Sequence, residues 1–213
     1  MRGPIFYDLA VPCPATARGG SLSKHPEVQV RPGREEDLRA LTELYNHYVR
    51  ETPVTFDLEP LSPEQRRPWL LSHPEDGPHR LLVALESPET PGSAKTPDTP
   101  DTPASAGRLL GYATSSPFRP KAAYATSVET SVYCAPGAAG RGVGTLLYNA
   151  LFHALRNEDV HRAYAGIAQP NEASARLHAR FGFAPVGVFR EVGRKFGRYW
   201  DVAWYEKELS PGG

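Results

Sequence analysis

Hydrophobic positions recur at helical spacing in several stretches of the chain. Leucines and tyrosines three and four residues apart predict an amphipathic helix over 35–49. Apolar residues from Val143 to Leu155 follow one another in steps of three and one, so a second amphipathic helix is expected there. A shorter helix is predicted over 173–180, and Ser62-Pro63-Glu64-Gln65 is typical of the capping box that opens another.

Side-chain alternation with a period of two predicts strands between these helices. The clearest strand runs from Tyr124 to Cys134, where Glu129 shares one face with Ser127, Ser131 and Tyr133. Further strands are predicted at 28–31, 80–86, 108–115, 160–168, 186–191 and 199–208. Because helices and strands are interleaved along the chain, the expected fold is an α/β domain with a mixed sheet.

Three segments fall outside this pattern and leave one domain at 27–209. Residues 1–26 show no clear period, which predicts a disordered tail or a start codon assigned too early. A secretory signal is a weaker alternative, because the apolar stretch there is short and broken by an aspartate. Thr-Pro repeats in 87–106 predict an extended loop inserted between two strands, with a proline-rich partner ligand as the alternative. Residues 210–213 form a short tail.

Composition narrows the class of protein. Lys+Arg and Asp+Glu number 24 each, so the formal net charge is zero, and a general nucleic-acid binder would need a basic surface. No apolar run reaches the roughly 18 residues of a membrane span. Two cysteines cannot form a disulfide scaffold, which fits a cytoplasmic protein. We expect no membrane contact, no nucleic-acid partner and no metal site.

The stretch between Cys134 and the helix at Val143 carries the strongest chemical signal. Gly140, Gly142 and Gly144 allow positive φ and close approach of a ligand to the backbone. The helix that follows presents unpaired N–H groups and the positive end of its dipole, which suits a phosphate or diphosphate. The spacing matches neither a P-loop nor the dinucleotide fingerprint G-x-G-x-x-G. A plain strand-to-helix connection is the alternative.

Several motifs resemble a known family over residues 27–209. Residues 129–134 with 140–144 resemble the acetyl-CoA motif of the GNAT superfamily of N-acetyltransferases, and 169–174 with 177–183 resemble its second motif. Further pieces resemble the phosphinothricin acetyltransferase branch; these are 46–48, 55–56, 116–119, 123–124, 129 and 195–201. One departure is Ala139, which stands where the acetyl-CoA motif usually has Gln or Arg.

The resemblance implies a single GNAT-like domain with a mixed twisted sheet flanked by helices. It implies acetyl-CoA as cofactor and a small-molecule amine as substrate, the α-amine of an amino acid such as phosphinothricin, methionine sulfone or methionine sulfoximine. Acetyl transfer would proceed by direct attack in a ternary complex. The resemblance further implies a homodimer, and Trp200, Val202 and Trp204 alternate as a core or dimer face would.

Glu129 is the candidate general base, because a strand carboxylate in a cleft has its pKa raised towards a useful value. A solvent-facing glutamate or a structural ion pair is the alternative. By its place in the family motif, His178 is implied as the acid that protonates the leaving thiolate. Backbone N–H groups from Val132 to Cys134 are expected to stabilise the oxyanion. A covalent acyl-enzyme on Cys134 is the disfavoured route.

The remaining candidate site residues are implied by the motifs. Residues expected to hold the cofactor are Val132, Tyr133, Cys134, Gly140, Arg141, Gly142, Val143, Gly144, Thr145, Asn171, Ser174 and Arg180. Residues expected to line the acceptor site are Phe56, Arg119, Lys121, Tyr124 and Lys195, with the cationic side chains suited to a carboxylate or phosphinate. Two other functions stay open: a protein N-terminal or lysine acetyltransferase, and an acetyl-CoA-binding regulatory domain without turnover.

Overall fold

The computed structural model describes residues 28–87 and 107–209. Within these residues the elements are β1 Val28–Pro32, α1 Leu38–Glu51, α2 Pro63–Leu71, β2 Leu81–Glu86, β3 Arg108–Pro117, β4 Ser127–Cys134, α3 Val143–Ala154, β5 Arg162–Ala168, α4 Glu172–Arg180, β6 Ala184–Lys195 and β7 Arg198–Glu208. The predicted tails at 1–26 and 210–213 and nearly all of the Thr-Pro loop at 87–106 lie outside the described residues.

All seven strands form one mixed sheet, in the order β1-β2-β3-β4-β5-β7-β6. Every pair is antiparallel except β4 and β5, which run parallel. That parallel pairing covers only Ser127–Glu129 against Arg162–Tyr164. Beyond Glu129 the two strands have no ladder between them, so the sheet opens at their carboxyl ends. The prediction of a mixed sheet in an α/β domain is confirmed.

Helices cover both faces of the sheet. The apolar stripes of α1 and α2 meet one face in a cluster that includes Leu41, Leu70 and Tyr112. The stripe of α3 meets the other face through residues such as Leu147 and Leu151, and α4 packs beside it. Each large side chain buried here contributes about 1.5–3 kcal/mol relative to exposure. Between the helices on the two faces, the opening between β4 and β5 stays accessible.

The strand predicted from Tyr124 begins later than expected. Residues Ala122–Tyr124 form a 3-10 turn, closed by the amide of Ala125 donating to the carbonyl of Ala122 at 3.0 Å. The backbone there forms turn hydrogen bonds instead of the strand pairing that the alternation predicts, and β4 starts at Ser127. No helix in the described ranges is long and apolar enough to cross a membrane.

Candidate active site

A groove of about 610 Å³ lies where β4 and β5 separate. It continues from the strand ends to the glycine-rich turn and the start of α3, with α4 on its far side. Its lining is largely apolar; the residues are Tyr48, Thr52, Pro53, Val54, Val132, Cys134, Ala135, Pro136, Ala138, Ala139, Gly140, Gly142, Val143, Gly144, Thr145, Ala168, Pro170, Asn171, Ala173, Ser174 and Leu177. Most of the predicted cofactor-binding residues therefore meet in one groove.

The start of α3 leaves its first amides open. Gly142 is the N-cap with φ +77°, a left-handed conformation that favours glycine, and it offers no side chain to cap the helix. Leu146 is the first amide to donate along the helix, to the carbonyl of Gly142 at 3.0 Å. The three amides before it, from Val143 to Thr145, therefore have no helical acceptor and point out of the helix end. This end suits an anionic ligand.

Gly144 serves packing more than backbone conformation. A Cβ added there would lie 3.1 Å from the side chain of Leu177 on α4. Glycine at this position therefore lets α4 approach the first turn of α3. That approach narrows the groove on the side where Asn171 caps α4, with its side-chain oxygen accepting from the amide of Ser174 at 3.1 Å.

Strand alternation selects which backbone donors of β4 face the groove. The amide of Ala135 donates to Leu110 on β3 at 2.8 Å, so Tyr133, two residues earlier, also turns its amide towards β3. The amides of Val132 and Cys134 turn the other way. The Cys134 amide donates to the hydroxyl of Tyr48 at 3.3 Å, and that hydroxyl donates to the Cys134 carbonyl at 2.6 Å. Val132 is therefore the donor of this group that faces the opening.

Two arginines predicted beside the cofactor differ in placement. Arg180 lies at the helix end, with its guanidinium donating to the hydroxyl of Thr145 at 3.4 Å. Arg141 instead pairs with Glu86 at 2.6 Å, and Arg108 pairs with the same carboxylate at 2.9 Å. Both pairs lower the pKa of Glu86, with Arg141 the larger cause. The charge of Arg141 is thus already paired within the protein, so its predicted phosphate contact stays a prediction.

Glu129 lies at the point where the two strands begin to separate. It stands opposite Ser116 on β3 and beside Tyr164 on β5, so all three side chains share one face. Burial raises the pKa of Glu129, and the charge of Arg119 partly opposes the rise. The raised pKa makes this half-buried carboxylate a stronger base than an exposed glutamate.

The loop that follows β3 brings two predicted acceptor residues near this face. Phe118 stacks on Tyr164 with ring centroids 4.2 Å apart, and the guanidinium of Arg119 lies 4.7 Å from the Phe118 centroid. Tyr124 contacts Phe118 edge to face at 6.0 Å and is 43% exposed. Lys121 is exposed at the start of the same turn. The structure thus brings Arg119 and Tyr124 together around Phe118.

Phe56 and Lys195 lie together at the loop that follows α1. The ammonium of Lys195 is buried and donates to the carbonyl of Thr55 at 2.7 Å, and burial lowers its pKa. Phe56 packs over Gly193, where an added Cβ would collide with the ring. In this arrangement Lys195 connects the loop to the β6–β7 hairpin. Its predicted ligand contact stays a prediction.

His178 is buried beneath the groove, with a small adjoining cavity of about 40 Å³ beside it. Its Nδ1 lies 2.8 Å from the carbonyl of Ser174 and therefore carries the proton, so Nε2 accepts from the hydroxyl of Tyr148 at 2.9 Å. Burial lowers the pKa of His178, which favours the neutral ring. The hydroxyl of Ser174, 3.3 Å from Nδ1, borders both cavities and separates the ring from the groove.

A second cavity, of about 310 Å³, lies on the α1–α2 face of the sheet. We call it the acceptor cavity because it includes Ser116 and Ser131, the neighbours of Glu129 on this face. Its lining is Tyr45, Asp57, Leu61, Gln65, Arg66, Trp69, Tyr112, Thr114, Ser116, Ser131 and Tyr133. The sequence did not identify Arg66, which lines this cavity, or His73, which contacts Ser116 in its lining.

His73 fixes the hydroxyl of Ser116. Its Nδ1 donates to the carbonyl of Trp69 at 2.7 Å, so its Nε2, 2.9 Å from Ser116 Oγ, accepts the serine proton. Burial lowers the pKa of His73, which keeps the ring neutral. Ser116 Oγ therefore presents lone pairs to the cavity, directly across the ladder from Glu129. These two side chains can together accept hydrogen bonds from the N–H groups of an amine.

Comparisons with known proteins agree with this geometry. The sequence model of the acetyltransferase (GNAT) domain family matches residues 102–204. The chain is 70% identical over 183 residues to a phosphinothricin N-acetyltransferase of Streptomyces coelicolor, covering 86% of this chain and 97% of that protein. It is 30% identical over 182 residues to an L-methionine sulfoximine/L-methionine sulfone acetyltransferase of Pseudomonas aeruginosa, covering 85% and 95%.

A solved structure extends the likeness to the fold. It is a GNAT superfamily phosphinothricin acetyltransferase from Sinorhizobium meliloti in complex with acetyl-CoA, 28% identical to this chain. The superposition has a TM-score of 0.70 and covers 87% of this chain and 90% of the other.

Proposed function

Because this chain belongs to the GNAT family and is an acetyl-CoA-dependent N-acetyltransferase, we propose that its acceptor is the α-amine of a small amino acid or analogue, of the phosphinothricin or methionine sulfone and sulfoximine type. Two features support this choice. The acceptor cavity holds about 310 Å³, a size suited to a small molecule, and it is lined by Ser116, which stands opposite Glu129 in the ladder. The names of the Streptomyces and Pseudomonas relatives point to the same acceptors.

The groove fits acetyl-CoA by its chemistry. Open amides at the start of α3 would hold the diphosphate, with Arg180 close by, and the apolar walls beside Asn171 would hold the pantetheine arm. Acetyl-CoA supplies the acetyl thioester. The Val132 amide, facing the opening, would donate to the carbonyl oxygen as negative charge develops there.

Glu129 and Ser116 would prepare the amine. An amino-acid ammonium group must lose a proton before its nitrogen can attack the thioester carbon. The raised pKa of Glu129 makes its carboxylate a suitable base, and Ser116 Oγ would accept a second N–H and orient the lone pair. The new bond forms between nitrogen and the acetyl carbon, and the carbon–sulfur bond breaks.

The leaving thiolate must take up a proton. We propose that it takes the proton that the attacking nitrogen loses as the amide forms, with the His178 and Ser174 pair donating a hydrogen bond to the sulfur at the inner end of the groove. Because Nδ1 donates to the Ser174 carbonyl, the Ser174 hydroxyl is the member of the pair that borders the groove. Direct transfer to the amine avoids an acyl-enzyme, and burial raises the pKa of the Cys134 thiol, which makes it a poor nucleophile.

A single observation carries the proposal: an uncapped, glycine-initiated helix opens onto the same strand separation that presents Glu129. Thiol release from acetyl-CoA, measured with phosphinothricin, methionine sulfone, methionine sulfoximine and the common amino acids, tests it. We expect release with one or more of these acceptors. Release only with peptides would favour a protein acetyltransferase, and binding without release would favour a regulatory domain.

A homodimer is the finer proposal for assembly. Large apolar side chains of β6 and the turn after it are exposed, among them Val188, Phe189 and Val192 at 51–56%. β6 is also an edge strand, and a patch of this kind favours contact with another protein surface. A second copy is tested by light scattering, with Phe189→Glu expected to shift the protein towards monomer. A cytoplasmic location and a role in resistance to amino-acid analogues belong to this same proposal.

A further inference from the structure

The acceptor cavity contains a buried cation that the proposed reaction does not yet use. Arg66 lies on α2, four residues before Leu70, so it occupies the stripe of the helix that faces the sheet. Its residue exposure is 5%. A charged side chain on a buried stripe is costly unless it is paired, so its surroundings indicate what it is for.

The surroundings of Arg66 stabilise the charge without neutralising it. Its guanidinium carbon lies 3.8 Å from the ring centroids of both Tyr45 and Trp69, and one terminal nitrogen donates to the hydroxyl of Tyr112 at 3.0 Å. Within the described residues no carboxylate forms a salt bridge with it, and its buried Nε has no hydrogen-bond partner. The planar guanidinium is therefore held in place while some of its N–H groups have no acceptor among the described residues.

Arg66 lines a cavity whose polar groups are mostly hydroxyls, together with the amide of Gln65. Thr114, Ser116 and Ser131 line it beside Arg66. The one carboxylate of the lining, Asp57, is exposed and already accepts from the hydroxyl of Tyr45 at 2.6 Å. A guanidinium backed by aromatic rings and surrounded by hydroxyls is suited to a group with paired oxygens.

We propose that Arg66 binds the terminal oxyanion of the acceptor's side chain and so determines preference for anionic side chains. This rests on the proposed function, since it places the acceptor's α-amine at Glu129. Arg66 contacts Tyr112, which stands opposite Tyr133 in the ladder, four residues along β4 from Glu129. Arg66 therefore lies towards the Tyr133 end of the acceptor cavity, away from Glu129. From an amine at Glu129, the end of the acceptor's side chain extends further in that direction than the α-carboxylate, whose carbon is only two bonds from the nitrogen.

The test compares two acceptors of nearly equal shape: phosphinothricin, whose side chain ends in an anionic phosphinate, and methionine sulfone, whose sulfonyl group is neutral. In Arg66→Gln we expect kcat/KM for phosphinothricin to fall about ten- to a hundredfold, and for methionine sulfone about threefold or less. Arg67→Gln is the matched control, because Arg67 is exposed on the same helix and pairs with Glu35. Equal losses with both acceptors in Arg66→Gln would overturn the assignment.

Two further measurements keep the proposal falsifiable if Arg66→Gln does not fold. Arg66→Lys retains the charge but not the planar guanidinium. We expect kcat/KM in this variant to fall more for phosphinothricin than for methionine sulfone. A crystal of the unmodified protein with coenzyme A and phosphinothricin should place a phosphinate oxygen within hydrogen-bond distance of Arg66; a phosphinate placed elsewhere overturns the inference. If the unmodified protein acetylates neither acceptor, the proposed function fails, which is distinct from equal losses in the variant.

Discussion

The two cavities of this protein are built from different parts of the polypeptide. The groove depends on main-chain amides contributed by one continuous stretch, from Val132 to Thr145. The acceptor cavity depends on side chains from α1, α2, β3 and β4. The groove should therefore depend little on side-chain identity, whereas single substitutions in the acceptor cavity are expected to change which acceptor is preferred.

Replacement of Glu129 should have the largest effect and should separate the two cavities most clearly. Glu129→Gln keeps the size and polarity of the side chain but removes the base. We expect kcat to fall about 10²–10⁴-fold, since this is the usual contribution of a positioned base. The affinity for coenzyme A, measured by calorimetry, should stay unchanged because the groove is intact. An unchanged kcat would remove Glu129 from its proposed role.

Replacement of Lys195 tests whether this residue near Phe56 stabilises the fold or contacts a ligand. Lys195→Met removes the ammonium and leaves the Thr55 carbonyl without its partner, so we expect the free energy of unfolding to fall by about 1–3 kcal/mol. Denaturant titration measures this. Arg194→Met, at an exposed neighbouring position, should leave stability unchanged. A raised KM with unchanged stability would instead support the predicted ligand contact.

Gly142 tests the dependence of the groove on the backbone. Gly142→Ala forces a Cβ into a left-handed conformation, φ +77°, at a cost of about 1–2 kcal/mol, and the open amides shift with it. We expect the Kd for coenzyme A to rise about tenfold, with kcat at saturating acetyl-CoA retained. Gly137→Ala is the control, because φ is not positive there and the nearest side-chain atom, an Arg108 nitrogen, lies 4.0 Å from the added Cβ. Equal Kd values in both variants would contradict the argument.

This contrast also explains what sequence could predict. Glycine spacing and the apolar stripe of α3 are local signals, so the groove was predictable from the stretch 129–155. The mixed sheet of an α/β domain also followed from these local patterns, whereas the order of the strands within the sheet was not predicted and the role of Glu129 stays a prediction. These predictions concern backbone conformation, which neighbouring residues determine.

The rest depends on contacts between distant residues. Arg66 is read from sequence as an ordinary surface arginine of a helix, and only its spacing to Leu70 marks it as inward-facing. Its aromatic partners come from α1 and α2, and its hydroxyl partner comes from β3, 46 positions away. Lys195 and Thr55 are 140 positions apart. No local pattern encodes such pairs, so the acceptor cavity appeared only in the folded structure.

The smallest expected effect concerns Arg119, whose charge, in the loop that follows β3, acts on Glu129. Arg119 lowers the pKa of Glu129 against the rise that burial causes. Arg119→Gln removes that opposing charge, so the pKa of Glu129 should rise further. Glu129 acts as a base only when deprotonated, and the acidic limb of the kcat/KM profile should therefore move to higher pH. Lys121→Gln is the control, because Lys121 is not among the charges that act on Glu129.

The position of the limb, rather than the height of the profile, is the quantity to compare, since Arg119 is also predicted to contact the acceptor. A limb that moves to lower pH would contradict the placement of Arg119 beside Glu129.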